Sequence, residues 1–349
     1  MFFKNQPLLL PGFIAALSLS LARGVLSSPT PEVSATRIIF QFPNGTGRLE
    51  NIAVRQNGNL LLDVISAPEV RQLNPFNPTE ALLVHSFPGV QGMFGIVEFE
   101  PDVFAVIGGN FSLDTITTVP HSYSLWKVDM RPFKSDENGN IESPAAVTKI
   151  ASIPEGLLLN GATILEPGSP YVLLADSGAG TVFRVNVHTG EYKVVLSDET
   201  MTTGPGLAIG INGIHIFDSV LYYTNTNRKL FAKVPINLSG PDAGTATGAY
   251  EIVANNGYGD DFTFDAEGNA YVATNLDFSI QKITLPGNFS TIAGGADSVA
   301  LEGDSAAKFG RTAKDRNILY VCTSGGLAGT VADTYRTGGK VVAIDVSRL

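Results

Sequence analysis

The stretch "NGATILEPGSPYVLLADSGAGTVFRV" (Asn160–Val185) holds three short apolar, β-branched-rich runs, "ATIL", "YVLLA" and "TVFRV", separated by "EPGSP" and "DSGAG". Runs of this length bounded by Gly, Pro, Asp and Ser read as strands joined by tight turns. The pattern returns at "NGIHIFDSVLYYTNTNRKLFAKV" (Asn212–Val234), which again opens on Asn-Gly. Working outward, related units start at Glu50 ("ENIAVRQNGNLLLDVISAPEVRQL"), Phe94 ("FGIVEFEPDVFAVIGGN"), Asp260 ("DDFTFDAEGNAYVATNLDFSIQKI") and Phe309 ("FGRTAKDRNILYVCTSGGL"). Most intervals lie near the ~40–50 residues of a four-stranded propeller blade. Six units predict an all-β, six-bladed β-propeller, which protects most strand edges and leaves a central channel. The early "TRIIFQF" and the C-terminal "KVVAIDV" are expected to share one blade and close the ring. A chain of two β-sandwich domains is the alternative, and the regular period speaks against it. The longer gap after Phe94 predicts a strand pair plus an exposed loop.

The chain has 349 residues, 44% hydrophobic and 16% charged, so it can bury a large core. Its 33 Asp+Glu against 23 Lys+Arg give a formal charge of -10, without a Lys/Arg cluster to neutralise a row of phosphates. Nucleic acid is therefore not an expected partner. Lys4, the apolar run Leu8–Ala22 and the small residues Ser27-Ser28 predict a signal peptide over residues 1–28, with the propeller over 29–349. The run is shorter than the ~20 residues of a membrane span and is broken by Pro11-Gly12, so the mature form is expected in the secretory pathway or secreted, without a membrane partner. Asn44, Asn110, Asn237 and Asn288 begin glycosylation sequons and are expected on solvated loops. Cys322 is the sole cysteine, which excludes an intramolecular disulfide.

If the first strand of each unit is innermost in its blade, its first residue lies at the channel mouth. Glu50, Asn160, Asn212 and Asp260 then converge as two carboxylates and two amides, an oxygen set suited to calcium or magnesium. Taken singly, Asn160-Gly161 and Asn212-Gly213 also read as turns, as do Asn57-Gly58 and Asn138-Gly139, and Glu50 and Asp260 as solvated acids. No His or Cys group has zinc spacing, and no organic cofactor motif is present. Met93, Phe94, Tyr123, Trp126, Tyr222 and Tyr258 are candidate walls of a substrate pocket, with blade packing as the competing reading for each. His215 lies three residues into its strand and points away from Asn212, as a blade-interface histidine would. No Gly-x-Ser-x-Gly elbow supports a serine hydrolase.

The segments "LENIAVRQNGNLLLDV", "NGATIL", "NGIHIFDSVLYYTN" and "DDFTFDAEGNAYVAT" resemble the SMP-30/gluconolactonase-like six-bladed propellers over roughly Arg48 to Val346. That resemblance implies a divalent-metal and substrate site on Glu50, Asn160, Asn212 and Asp260. The chain looks most like the exported fungal branch, some of whose members are hetero-Diels-Alderases of tropolone sesquiterpenoid secondary metabolism. The implied activity is dehydration of a hydroxymethyl tropolone to an ortho-quinone methide and its stereoselective cycloaddition with a humulene-type alkene, both small hydrophobic natural products. Asp260 and Glu50 are the candidate catalytic residues. A metal-dependent lactonase or esterase and a non-catalytic ligand-binding propeller are the two other function classes.

Overall fold

The computed structural model describes residues 36–112, 115, 117–136, 138–326, 337–347 and 349, all within one compact unit, Val33–Leu349. The expected signal peptide, residues 1–28, lies outside the described residues. Among the described residues there are six four-stranded antiparallel sheets and no α-helix. Blade 1 runs outward from the axis as Leu49–Val54, Leu60–Val64, Glu69–Leu73 and Ala81–Ser86. Blades 2 to 5 begin at Gly92–Glu100, Leu159–Ile164, Ile211–Phe217 and Phe262–Phe264. Blade 6 is built from Asp304–Phe309, Ile318–Thr323 and Lys340–Asp345, and Thr36–Gln41 adds its outermost strand. The ring is therefore closed by the two ends of the propeller, as their sequence patterns predict: a six-bladed β-propeller.

Apolar residues alternate along each strand, so successive side chains enter the two interfaces on either side of a blade. Leu173 packs against blade 4 with Leu221 and Tyr223, whereas its neighbour Leu174 packs against blade 2 with Val103 and Leu125. Six buried clusters result, one between each pair of adjacent blades. Arg55 adds a polar clamp between blades 1 and 2, donating to Asp102 at 2.8 Å and to Gln72 at 2.5 Å.

Two details depart from the sequence reading. The sixth unit begins at Asp304, five residues before Phe309, because "DSAAKF" pairs as a strand despite its small and polar residues. The long insertion after Phe94 contributes the third strand of blade 2, Ser124–Asp129, and two short hairpins, Phe111–Ser112 with Thr117–Thr118 and Lys134–Ser135 with Ile141–Ser143.

Candidate active site

Five inner strands slip register near their start: between Leu49 and Asn51, Met93 and Ile96, Leu159 and Ala162, Ile211 and Ile214, and Asp304 and Ala306. A bulge of this kind leaves a residue unpaired and re-aims its side chain. Glu50, Phe94, Asn160 and Asn212 occupy these positions. Asp260 stands at the equivalent place in blade 5, where its N–H still donates to the Ala273 carbonyl at 2.8 Å. The Asn-Gly pairs are thus interior to strands. Glycine follows because the inner strands come too close for a side chain: a Cβ on Gly161 would lie 2.3 Å from the Asn212 carbonyl oxygen, and one on Gly213 2.5 Å from an Asp261 carboxylate oxygen. Asn57-Gly58 and Asn138-Gly139 are indeed turns, with φ of 89° and 84° at their glycines.

Glu50, Phe94, Asn160, Asn212 and Asp260 line one pocket with about 610 Å³ of atom-free space, counted to its open mouth. The inner strands supply its polar floor, extended by Thr226, Asn275 and Ser324 from turns at the same end of the propeller. Its wall is apolar: Ile65, Phe94, Phe111, Leu158, Leu207, Ile209 and Leu276. Apart from Phe94, and Phe111 in the short hairpin of the blade 2 insertion, these wall residues come from turns and inter-blade connections.

The floor is held by directed hydrogen bonds. Asn275 donates to Asp260 Oδ2 at 2.6 Å, and Asn212 donates through Nδ2 to Thr226 Oγ1 at 2.9 Å. Burial pushes the Asp260 carboxyl up to about 8, against the pull of the Asn275 and Asn212 amides, with the Asp261 charge adding to the rise. Burial also raises Glu50 well above the usual carboxylate range, reinforced by the charges of Asp260, Asp261 and Asp63. Two acids forced to share a dry floor repel each other when both ionise, so the pair favours holding a proton.

Further along the inner strands, a second network ties four blades together. Asn51 donates to Asp261 Oδ2 at 2.8 Å, His215 Nε2 lies 2.8 Å from Asp261 Oδ1, and Lys308 Nζ lies 3.0 Å from His215 Nε2. Burial would raise Asp261, but Lys308 and His215 outweigh it and hold the carboxylate well below its usual range. His215 is lowered by burial and then by the Lys308 charge. It stands edge-on to Phe262 between blades 4 and 5, with ring centroids 4.8 Å apart, where alternation from Asn212 puts it.

Of the six wall residues expected from sequence, Phe94 lines the pocket and the other five do not. Trp126 is on the third strand of blade 2, packed against Phe87 at 5.5 Å and donating to Ser124 Oγ at 2.9 Å. Tyr222 is buried between blades 4 and 5 among Phe231 and Phe264. Tyr258 precedes Asp260 in the chain but is covered by the Lys229 ammonium, 3.9 Å from its ring centroid. Of the remaining two, Met93 is buried between blades 1 and 2 and Tyr123 between blades 2 and 3. Trp126 and Tyr222 stand on strands outside the innermost, which face only neighbouring blades, and Met93, though on an inner strand, packs into the interface between blades 1 and 2; most axis-facing apolar groups come from loops instead. Leu207, Ile209 and Leu276 were missed because loop residues carry no periodic signal, and Phe111 because a two-residue strand carries none either. An apolar pair inside the Gly/Pro-rich "GPGLAIG" was the available clue. Among the sequons, Asn44 and Asn288 are exposed, Asn237 is half-buried and donates to Thr245, and the Asn110 amide oxygen is buried rather than solvated.

Among the described residues, no group of three or more His, Cys, Asp or Glu side chains is placed to hold a metal. The four-residue floor set is of another composition, two carboxylates and two amides, all lining one pocket. Its chemistry fits a hard divalent cation: it is all-oxygen, Asn212 spends its amide nitrogen on Thr226, and the two repelling acids gain from a positive charge between them.

A six-bladed β-propeller with a carboxylate-floored pocket at one end of its axis is the class of protein these features define. Solved structures share the architecture: regucalcin, a calcium-binding protein of Agrobacterium tumefaciens, at TM-score 0.62 and 16% identity over 89% of this chain and 93% of that one, and a luciferin-regenerating enzyme at TM-score 0.62 and 12% identity over 90% and 96%. These likenesses establish the fold. No family model matches the chain. The chain belongs to the hetero-Diels-Alderase family, being 31% identical over 333 residues, 86% of its length and 90% of the relative's, to the Phoma sp protein named "Putative hetero-Diels-Alderase". A similarly named protein of Sarocladium schorii is 29% identical over 331 residues, 84% of this chain and 79% of the relative.

Proposed function

We propose that the protein is an enzyme of the hetero-Diels-Alderase type that dehydrates a hydroxymethyl tropolone and guides cycloaddition of the resulting ortho-quinone methide with a humulene-type sesquiterpene. The observation that carries this reading is the division of one pocket into a floor of protonatable carboxyls and an apolar wall. The family relationship supports the reaction type; the two substrates follow from the sequence resemblance and the division of the pocket.

The chemistry asked of the residues is modest. With a carboxyl that stays protonated below about pH 8, Asp260 gives its proton to the substrate hydroxyl. The carbon–oxygen bond breaks, its electron pair leaves with the oxygen as water, and the tropolone O–H proton returns to the Asp260–Glu50 pair. One water is lost without a change of oxidation state. The exocyclic methylene then bonds one alkene carbon while the ring oxygen bonds the other. The wall holds the two apolar partners in one relative orientation, so positioning supplies much of the acceleration and the wall's asymmetry selects the stereoisomer. A calcium or magnesium ion would be held by Glu50, Asn160, Asn212 and Asp260 with both acids ionised, and when bound would supply Lewis acidity to a ligand oxygen in place of the Asp260 proton.

The test is product analysis by chiral chromatography, with and without protein, from hydroxymethyl tropolone and humulene. The expected result is faster product formation and one dominant cycloadduct, with Asp260→Asn slowing dehydration more than it alters the isomer ratio. An unchanged rate and ratio together with hydrolysis of simple lactones would make the protein a lactone hydrolase instead. Binding without turnover of either would make it a ligand-binding propeller.

A further inference from the structure

The connection from blade 3 to blade 4 ends in "TTGPGLAIG" (Thr202–Gly210) and carries two wall residues, Leu207 and Ile209. It holds three glycines and a proline, and Gly206 has φ of 104°. Pro205 has no N–H to donate, and among the described residues no backbone hydrogen bond closes a turn within residues 204–207. A backbone this poor in internal bonds takes its position from outside.

That position comes from the turn after strand Val220–Asn225. Asn227 Oδ1 accepts from the Gly204 N–H at 2.6 Å, and Asn227 Nδ2 donates to the Pro205 carbonyl at 3.3 Å and the Leu207 carbonyl at 2.6 Å. Its own N–H donates to the Ile209 carbonyl at 2.9 Å. Among the described residues, every hydrogen bond to the backbone of residues 204–207 comes from this one side chain. The start of the segment is fixed separately: Asn225 donates to the Thr200 and Thr202 carbonyls, both at 2.9 Å, and Arg228 Nε to Thr202 at 2.9 Å. An amide suits the task, since one acceptor and two donors meet one N–H and two carbonyls. Aspartate offers the acceptor alone and would set a carboxylate against two carbonyl oxygens.

We infer that Asn227, which does not itself line the pocket, is a positioning residue whose side chain fixes the Gly204–Ile209 segment and so decides where Leu207 and Ile209 stand and which face of an apolar substrate the pocket accepts. The inference rests on the reading that this pocket binds an apolar partner. It separates two roles in one site: the inner strands hold the acids, and a clasped loop sets selectivity.

The experiment compares the full chain with Asn227→Ala, Asn227→Asp and Leu207→Ala by hydrogen exchange, isomer ratio and humulene binding. In Asn227→Ala the Gly204 amide should exchange about tenfold faster, a 1.4 kcal/mol loss of protection, while exchange in the blade strands stays as in the wild type. Asn227→Asp keeps the acceptor for Gly204, so that amide stays protected while the carbonyl contacts are lost. The isomer ratio should fall about tenfold in all three variants. Unchanged exchange at Gly204 in Asn227→Ala overturns the clasp; faster exchange with an unchanged isomer ratio overturns its role in selectivity. If the wild type yields no cycloadduct, the proposed reaction fails by itself, and humulene binding then decides: about tenfold weaker binding in Asn227→Ala and Leu207→Ala upholds the positioning role, and equal binding overturns it.

Discussion

Replacing Asp260 by Asn keeps the shape of the side chain and removes its titration, so the pH dependence of stability measures the buried acid. In the folded protein burial pushes this carboxyl up to about 8, from an ordinary 3.8. Between those values the fold holds a proton that the unfolded chain has released. The stability contributed by that proton is whole below pH 3.8 and is lost as pH rises through about 8. One proton bound only by the folded state gives a slope of about 1.4 kcal/mol per pH unit, so the wild type loses roughly 3 kcal/mol from this group between pH 5 and 7. Asn carries no such slope. Glu50, Asp63 and Asp304, also raised by burial, contribute to both proteins and largely cancel in the comparison. With chelator present, thermal unfolding should show the melting temperature of Asp260→Asn gaining on the wild type by on the order of 5 °C from pH 5 to 7. Parallel pH curves for the two proteins would refute the buried-acid argument, and a gap moving the other way would mean that Asp260 is ionised in the fold.

Calcium or magnesium, added after chelator is removed, should raise the melting temperature of the wild type and leave Asp260→Asn nearly unmoved, because only binding to the folded state stabilises it; equal shifts would place the ion elsewhere. Gly161→Ala should cost more than about 2 kcal/mol, since its Cβ meets the Asn212 carbonyl, whereas Gly168→Ala, with open space and φ of 83°, should cost about 1–2 kcal/mol; denaturant melts that rank them the other way would contradict the close strand approach. In protein from the native host, mass spectrometry of glycopeptides should find Asn44 and Asn288 occupied ahead of Asn110, whose buried amide oxygen hinders access; full occupancy at Asn110 alone would count against this placement.

Much of the architecture was legible because strand alternation and turn residues are local signals, and repetition multiplied them into six units. Ring closure was legible for the same reason: "TRIIFQF" carries a strand pattern with no partner nearby in sequence, and "KVVAIDV" is left at the far end of the chain to take it. The start of blade 6 was not, because "DSAAKF" lacks the bulky β-branched residues that mark the other inner strands. The quartet Glu50, Asn160, Asn212 and Asp260 could be gathered from sequence since equivalent positions of a radial repeat must converge on one axis.

What sequence left open was everything set by distance between blades. Asn-Gly reads the same whether it makes a turn or a bulge; the Asn212 carbonyl, 2.3 Å from where a Gly161 Cβ would stand, decides between them. A tryptophan or tyrosine reads the same whether it faces a channel or a neighbouring sheet, and Trp126 and Tyr222 face sheets because their strands are not innermost. Composition and periodicity therefore determined the blades and the carboxylate floor, which depend on local pattern. Tertiary structure alone decided the apolar wall and its Asn227 clasp, because loops without periodicity take their places only from the contacts that other parts of the chain bring to them.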